Sequence, residues 1–279
     1  GDPSLTAGIG FASTLLFLNY SLNIGLMITI SALAARRIGM GRSENVEKYA
    51  SSIVALDVNT GQDRWVRQTV HHDLWDMDVP AQPVLMDLNR EDGTVVPALI
   101  GPTKQGDIYV LDRRNGEPII PVRELPAPGG AIPEDFTAPT QPISDLTFRP
   151  PTMTESNMWG LTIIDQMMCR IAFHELNYEG QYTPPSLEGT LVYPGNFGTF
   201  NWGGVAVDPE RQVMFGMPTY LAFTSKLVPR SDIPPKEEGA TGSEQGLNRN
   251  EGAPYGVVMG PFLSPLGIPC QAPPWGTIA

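Results

Sequence analysis

Ser51-Ser52-Ile53-Val54-Ala55-Leu56-Asp57-Val58-Asn59-Thr60-Gly61-Gln62-Asp63-Arg64-Trp65 decides the fold. Its first seven residues read as a strand and Asn59-Thr60-Gly61 as a tight turn. Asp63 to Val70 is then the return strand, because β-branched and aromatic residues flank a glycine turn. Two later segments repeat the pattern. One is Ile108-Tyr109-Val110-Leu111-Asp112 with a turn at Asn115-Gly116, the other Gly204-Val205-Ala206-Val207-Asp208 with a turn at Pro209-Glu210-Arg211. Asp57, Asp112 and Asp208 lie 55 and then 96 positions apart, one and about two blade-sized periods. Strand repeats at roughly 40–50 residues predict an all-β chain built as a β-propeller.

The composition agrees. Gly 29 and Pro 28 favour short strands and tight turns over long helices, and 41% apolar residues suffice for a core. Pro118 to Pro151 reads as a Pro-rich surface excursion, and Pro229 to Pro254 as a second, polar one. A net charge of −12 excludes nucleic acid as a partner, since no basic stripe could follow its phosphates. Cys169 and Cys270 have no C-x-x-C spacing and form no zinc signature; the sequence leaves their pairing open.

His71-His72-Asp73-Leu74-Trp75-Asp76-Met77-Asp78 places five groups able to bind a metal or accept a proton within eight residues. Such density shifts pKa values unless a cation compensates. A polar loop with a structural ion network is the plain alternative. A His/Asp metallohydrolase on His71, His72, Asp73 and Asp76 is another, but it needs those side chains to converge on one metal, which alternation along a strand opposes.

Ala55-x-Asp57-x-x-Thr60-Gly61-x-x-x-Trp65 resembles the tryptophan-docking pattern of quinoprotein propellers, in which the Trp of one blade packs on its neighbour. From about Glu47 onward the chain is similar to the catalytic domain of membrane-bound, PQQ-dependent quinoprotein dehydrogenases, in the glucose and quinate/shikimate branch that reduces ubiquinone. The stretches that carry the resemblance include Tyr49 to Asp57, Thr69 to Pro83 and Tyr109-Val110-Leu111-Asp112-Arg113-Arg114-Asn115-Gly116. Tyr178-Glu179-Gly180, Thr183-Pro184-Pro185-Ser186, Tyr193-Pro194-Gly195-Asn196 and Pro261-Phe262-Leu263-Ser264-Pro265 extend it.

The resemblance implies an eight-bladed propeller with PQQ near its axis. Asp76 matches the catalytic base that takes the substrate hydroxyl proton as hydride moves to PQQ. Lys104, in Thr103-Lys104-Gln105-Gly106, matches the lysine beside the quinone oxygens. Asn196 and Trp202, in a Gly-rich stretch, are the further candidates to face the cofactor. Asp78 stands where lanthanide-using relatives place an extra metal ligand. Here the implied metal is calcium or magnesium, with Asp76 and Asp78 its candidate ligands, Asp78 otherwise a structural residue that supports the site. His71 and His72 read as packing or loop groups, and His174 as a structural histidine.

The implied substrate is a cyclic polyol. Met217-Pro218 stands where sugar-oxidising members read Asn-Pro, which favours quinate or shikimate over glucose, with Arg170 or Lys226 as the partner of a substrate carboxylate. Ubiquinone is the implied acceptor, a membrane anchor the implied attachment, and the periplasmic side of the inner membrane the implied location.

Residues 1–43 depart from the family. No charged residue occurs from Pro3 to Ala35, long enough for a membrane-spanning helix, and Arg36, Arg37 and Arg42 follow it. Basic flanks mark the cytoplasmic side, which conflicts with a periplasmic domain. A buried hairpin and a mis-joined or frame-shifted stretch are the other readings. Residues 44–279 read as a fragment of the PQQ propeller with about half its blades, inactive by itself in one reading and a non-catalytic propeller scaffold in another.

Overall fold

In a computed structural model, residues 47–235 and 246–279 are described. The N-terminal apolar segment and the middle of the second polar excursion lie outside them. Among the described residues, no helix is long and apolar enough to cross a membrane. The unit described below is Tyr49–Ala279.

The opening stretch folds as a hairpin. Strands β1 (Ser52–Leu56) and β2 (Asp63–Gln68) pair antiparallel, with Ala55 opposite Trp65. Asp57 closes the turn: its Oδ1 accepts the backbone N–H groups of Asn59 and Thr60, each at 3.0 Å, while Arg64 binds its Oδ2. Short acidic side chains that cap their own turn make such reversals favourable. Arg64 first, then these N–H donors, hold the Asp57 carboxyl below its ordinary range. Asp112 accepts the Arg114 N–H at 2.9 Å, and Asp208 those of Glu210 and Arg211 at 3.0 Å. The three aspartates that set the sequence period do the same work in three turns.

Trp65 reaches across to the next turn. Its Nε1 donates to the Arg113 carbonyl at 3.2 Å, and the Arg67 guanidinium donates twice to the Gly116 carbonyl, at 3.0 and 3.2 Å. Gly116 has φ +74°, and a Cβ there would stand 2.7 Å from the Trp65 ring. Gly61 occupies the equivalent turn of the first hairpin at φ +70° with open space around it. Gly116→Val is therefore expected to cost more than Gly61→Val, by about 1–3 kcal/mol of overpacking. Urea denaturation midpoints check this; equal losses would show that Trp65 is not docked.

Strands β3 (Val84–Asn89), β4 (Val95–Pro102) and β5 (Ile108–Asp112) form an antiparallel sheet, with Leu99 opposite Leu85 and Leu111. Both its faces are covered. Met86, Ala98, Ile100, Ile108 and Val110 pack with Phe200, while Leu99, Tyr109 and Leu111 pack with Ile53. Successive side chains on a strand point to opposite faces, so one apolar run serves two interfaces. That is the burial a propeller blade needs.

The Pro-rich excursion from Pro118 to Pro151 is more than surface loop. It holds the hairpin of β6 (Val122–Pro126) and β7 (Thr140–Ser144), with Glu124 opposite Pro142 and Pro126 opposite Thr140. Proline is tolerated because each strand of a two-stranded sheet has an unpaired edge. The sequence reading also passed over helix α1 (Ile163–His174), whose N-cap Thr162 accepts the Asp165 N–H at 3.1 Å. Cys169 on α1 is joined to Cys270 across 101 residues, inside a core of Met153, Met158, Leu191, Ala222 and Phe262.

The remaining strands are β8 (Thr190–Val192), β9 (Val205–Asp208), β10 (Val213–Gly216), β11 (Phe223–Pro229), β12 (Leu247–Asn248) and β13 (Tyr255–Pro261). They make a four-stranded antiparallel sheet in the order β12-β13-β11-β8 and the hairpin β9–β10. In the turn of that hairpin, Gln212 accepts the Asn89 N–H at 2.8 Å and donates to the Asp87 carbonyl at 3.2 Å, which ties it to β3.

Candidate active site

The octapeptide is held by its own third residue. One Asp73 oxygen accepts the N–H groups of Trp75 at 2.9 Å and Met77 at 3.1 Å; the other accepts the Ser51 hydroxyl at 2.7 Å. Trp75 and Met77 are buried on either side of Asp76. Trp75 donates its Nε1–H to the Thr183 carbonyl at 2.7 Å, and its own carbonyl accepts the Asn196 side-chain amide at 3.0 Å. Asp76 takes φ +63° between these anchors, and its side chain is 55% exposed. Aspartate is among the residues that tolerate this left-handed geometry.

Lys104 arrives from the turn between β4 and β5. Its Nζ donates to Asp76 Oδ2 at 2.9 Å and to the Asp76 carbonyl at 3.0 Å, and lies 2.7 Å from Asp78 Oδ1. The lysine is only 8% exposed. Its stem runs over Gly198 (φ +72°), where a Cβ would fall 2.5 Å from the lysine Cγ, and its carbonyl accepts the Thr199 N–H at 2.7 Å. Burial disfavours the ammonium, but Asp78 and Asp76 outweigh it, so the Lys104 pKa is raised and the charge is kept. Burial likewise pushes the Asp76 carboxyl up from its ordinary value; Lys104 opposes this, and the charges of Asp78 and Asp73 add to it.

The other candidates disperse. His71 meets Gln68 at 2.5 Å and Glu124 at 3.1 Å; His72 meets Asp135 at 2.6 Å and stacks on Phe136 with ring centroids 3.7 Å apart. The four side chains of the metallohydrolase reading thus point to four separate sets of partners. Asn196 adjoins the cluster through Trp75, and its Oδ1 is buried without a hydrogen-bond partner among the described residues. Trp202 is 69% exposed at the approach to β9, its N–H given to the Asn201 side chain at 2.9 Å. His174 and Arg170 both face Glu155, at 3.0 and 3.8 Å, and Lys226 lies in β11 opposite Val258.

A hard divalent cation takes six or more oxygens. Asp76 and Asp78 supply two carboxylates, both already facing the Lys104 ammonium, and no three His, Cys, Asp or Glu come together among the described residues. This pair by itself therefore does not fit calcium or magnesium. PQQ fits better: the buried Lys104 ammonium is a cation for a carboxylated quinone, and the Asn196 oxygen, without a partner among the described residues, can accept only from an N–H or O–H of a bound group.

Sequence reasoning missed the supports of this cluster. Gln141, buried in β7, accepts the His71 N–H at 2.8 Å and donates to the His71 carbonyl at 2.7 Å. Arg149, Asp107 and Tyr182 form a buried polar group behind Trp75. Nothing in residue spacing pairs them, since their separations run from 33 to 75 positions.

The chain matches the family described as PQQ: Glucose/ethanol/alcohol dehydrogenase, beta-propeller domain, over residues 26–279. It is 51% identical over 246 residues to the quinoprotein glucose dehydrogenase of Escherichia coli (strain K12), covering 86% of this chain and 31% of that protein. Against the quinoprotein glucose dehydrogenase of Gluconobacter oxydans (strain 621H) it is 50% identical over 273 residues, 94% of this chain and 34% of that protein. A probable quinate dehydrogenase (quinone) of Xanthomonas campestris pv. juglandis is 45% identical over 248 residues, with 86% and 31% covered. The chain spans about a third of the length of these curated relatives.

Proposed function

This chain belongs to the PQQ β-propeller domain family of glucose, ethanol and alcohol dehydrogenases, and on that premise we propose that it carries the general base of a quinoprotein dehydrogenase acting on a cyclic polyol. The observation that carries the reading is the Lys104 ammonium set between Asp76 and Asp78, beside a half-exposed base. Asp76 Oδ accepts the proton of the substrate hydroxyl. Lys104 fixes the orientation of that carboxylate and keeps it ionised, as a base requires. PQQ, when bound, supplies the two-electron acceptor for the hydride. Lys104 and Asn196 are the residues of this chain proposed to hold it, and Trp202 the aromatic ring proposed to face it.

Glucose is the first substrate to test, because Arg170, one of the two candidate partners of a substrate carboxylate, already faces Glu155, while Lys226 stays a candidate for the carboxylate of quinate. Quinate is the second reading, carried by Met217-Pro218. We propose ubiquinone as acceptor, a divalent cation as a further cofactor, and a location at the inner membrane with the propeller outside the cytoplasm. The Cys169–Cys270 disulfide supports that side, since such bonds persist in oxidising compartments. The full-length protein, given PQQ and calcium or magnesium, is expected to reduce a quinone dye with glucose or quinate. Loss of dye reduction with both polyols would overturn the reading.

A further inference from the structure

Asp76 and Lys104 come from different loops, so their 2.9 Å contact depends on what fastens those loops together. On the lysine side, Asp107 closes the turn: its carbonyl accepts the Thr103 N–H at 3.1 Å and the Thr103 hydroxyl at 2.8 Å. The Asp107 carboxylate is fully buried and receives both arms of the Arg149 guanidinium, Nε to Oδ1 at 2.9 Å and Nη2 to Oδ2 at 2.5 Å. On the aspartate side, Arg149 Nη2 also donates to the Tyr182 hydroxyl at 3.0 Å, and the guanidinium carbon lies 5.3 Å from the Tyr182 ring centroid. Tyr182 meets Trp75 edge-on, with ring centroids 5.1 Å apart. Trp75 directly precedes Asp76.

Contacts and chain links close a circuit from Asp76 through Lys104, its chain neighbour Thr103, Asp107, Arg149, Tyr182 and Trp75 back to Asp76. We propose that Arg149 is a positioning residue for the Asp76–Lys104 pair, clamping the turn of the lysine to the loop of the base. A buried ion pair is weak evidence for stability, because apolar residues of the same volume often serve as well. A planar fork that addresses two partners at fixed angles is suited to setting register, which neither lysine nor methionine can reproduce.

The test compares Arg149→Met with Tyr182→Phe, which removes one hydroxyl and keeps the ring, so a variant that folds is available. The first readout needs neither cofactor nor activity: the rate at which Lys104 is acylated, followed by peptide mass spectrometry in the full-length protein. Both variants are expected to speed it several-fold. In the PQQ-loaded protein kcat is expected to fall about tenfold for Arg149→Met with KM within about twofold, as for a small misplacement of a catalytic group. In a Lys104→Met background the same change should cost less than about twofold, because the pair it positions is gone. Unchanged Lys104 acylation in the folded variants, with any activity loss explained by less folded protein, overturns the proposal. The kinetic arm rests on the dehydrogenase reading. Full activity of Asp76→Asn would remove that reading alone and leave acylation to decide the role of Arg149.

Discussion

Asp76→Asn in the PQQ-loaded full-length protein is expected to lower kcat about 10²–10⁴-fold, the usual worth of a general base. Asparagine keeps the size of the side chain, tolerates φ +63°, and presents an oxygen to the Lys104 ammonium 2.9 Å away, so the loop has no reason to move. What it lacks is a site for the substrate proton. KM should therefore change far less than kcat. The pH profile carries a second expectation. Burial raises the Asp76 pKa above its ordinary value of 3.8, and the base is competent only when ionised, so activity is full above the raised value and falls as pH drops through it. Lys104→Met removes the charge that opposes this rise, and the acid limb of kcat/KM should move to higher pH. Wild-type kcat in Asp76→Asn would sink the assignment; an acid limb unmoved by Lys104→Met would show that the two groups are not coupled.

Removing the disulfide is expected to have the largest effect on stability. Cys169→Ala with Cys270→Ala opens a covalent loop that spans 101 residues, and loops of that length confine the unfolded chain by about 4–5 kcal/mol; measured losses run at about 2–5 kcal/mol. Both sulfurs are buried in the core that seats α1, so alanine leaves small apolar gaps and no stranded thiol. The loss should show as a lower urea midpoint and as faster proteolysis within Ile163–His174. An unfolding free energy within about a few tenths of a kcal/mol of wild type would mean that packing alone holds α1.

The sequence made the hairpins legible because each turn has its own chemistry: Asp57, Asp112 and Asp208 cap their turns locally, within two or three residues. Trp65 on Gly116 was readable only as a family pattern, and the structure supplies its contact. Asp76 and Lys104 were named by resemblance; their meeting across 28 positions is tertiary information. Helix α1 was hidden by an apolar sequence without clear periodicity, although Thr162 and Asp165 carried a start signal. β6 and β7 were masked by Pro126, Pro139 and Pro142, which read as breakers because the sequence does not say which strand edges stay unpaired. The pairing of Cys169 with Cys270 was invisible for the same reason as the Asp107–Arg149 fork: residues far apart carry no spacing signal.

Asp73 has one more consequence. By gripping the amides on both sides of the base and the hydroxyl of Ser51, it leaves Asp76 little to rearrange except its own side-chain torsions. The entropy of ordering that loop is spent once, when the chain folds, and need not be spent again at each turnover.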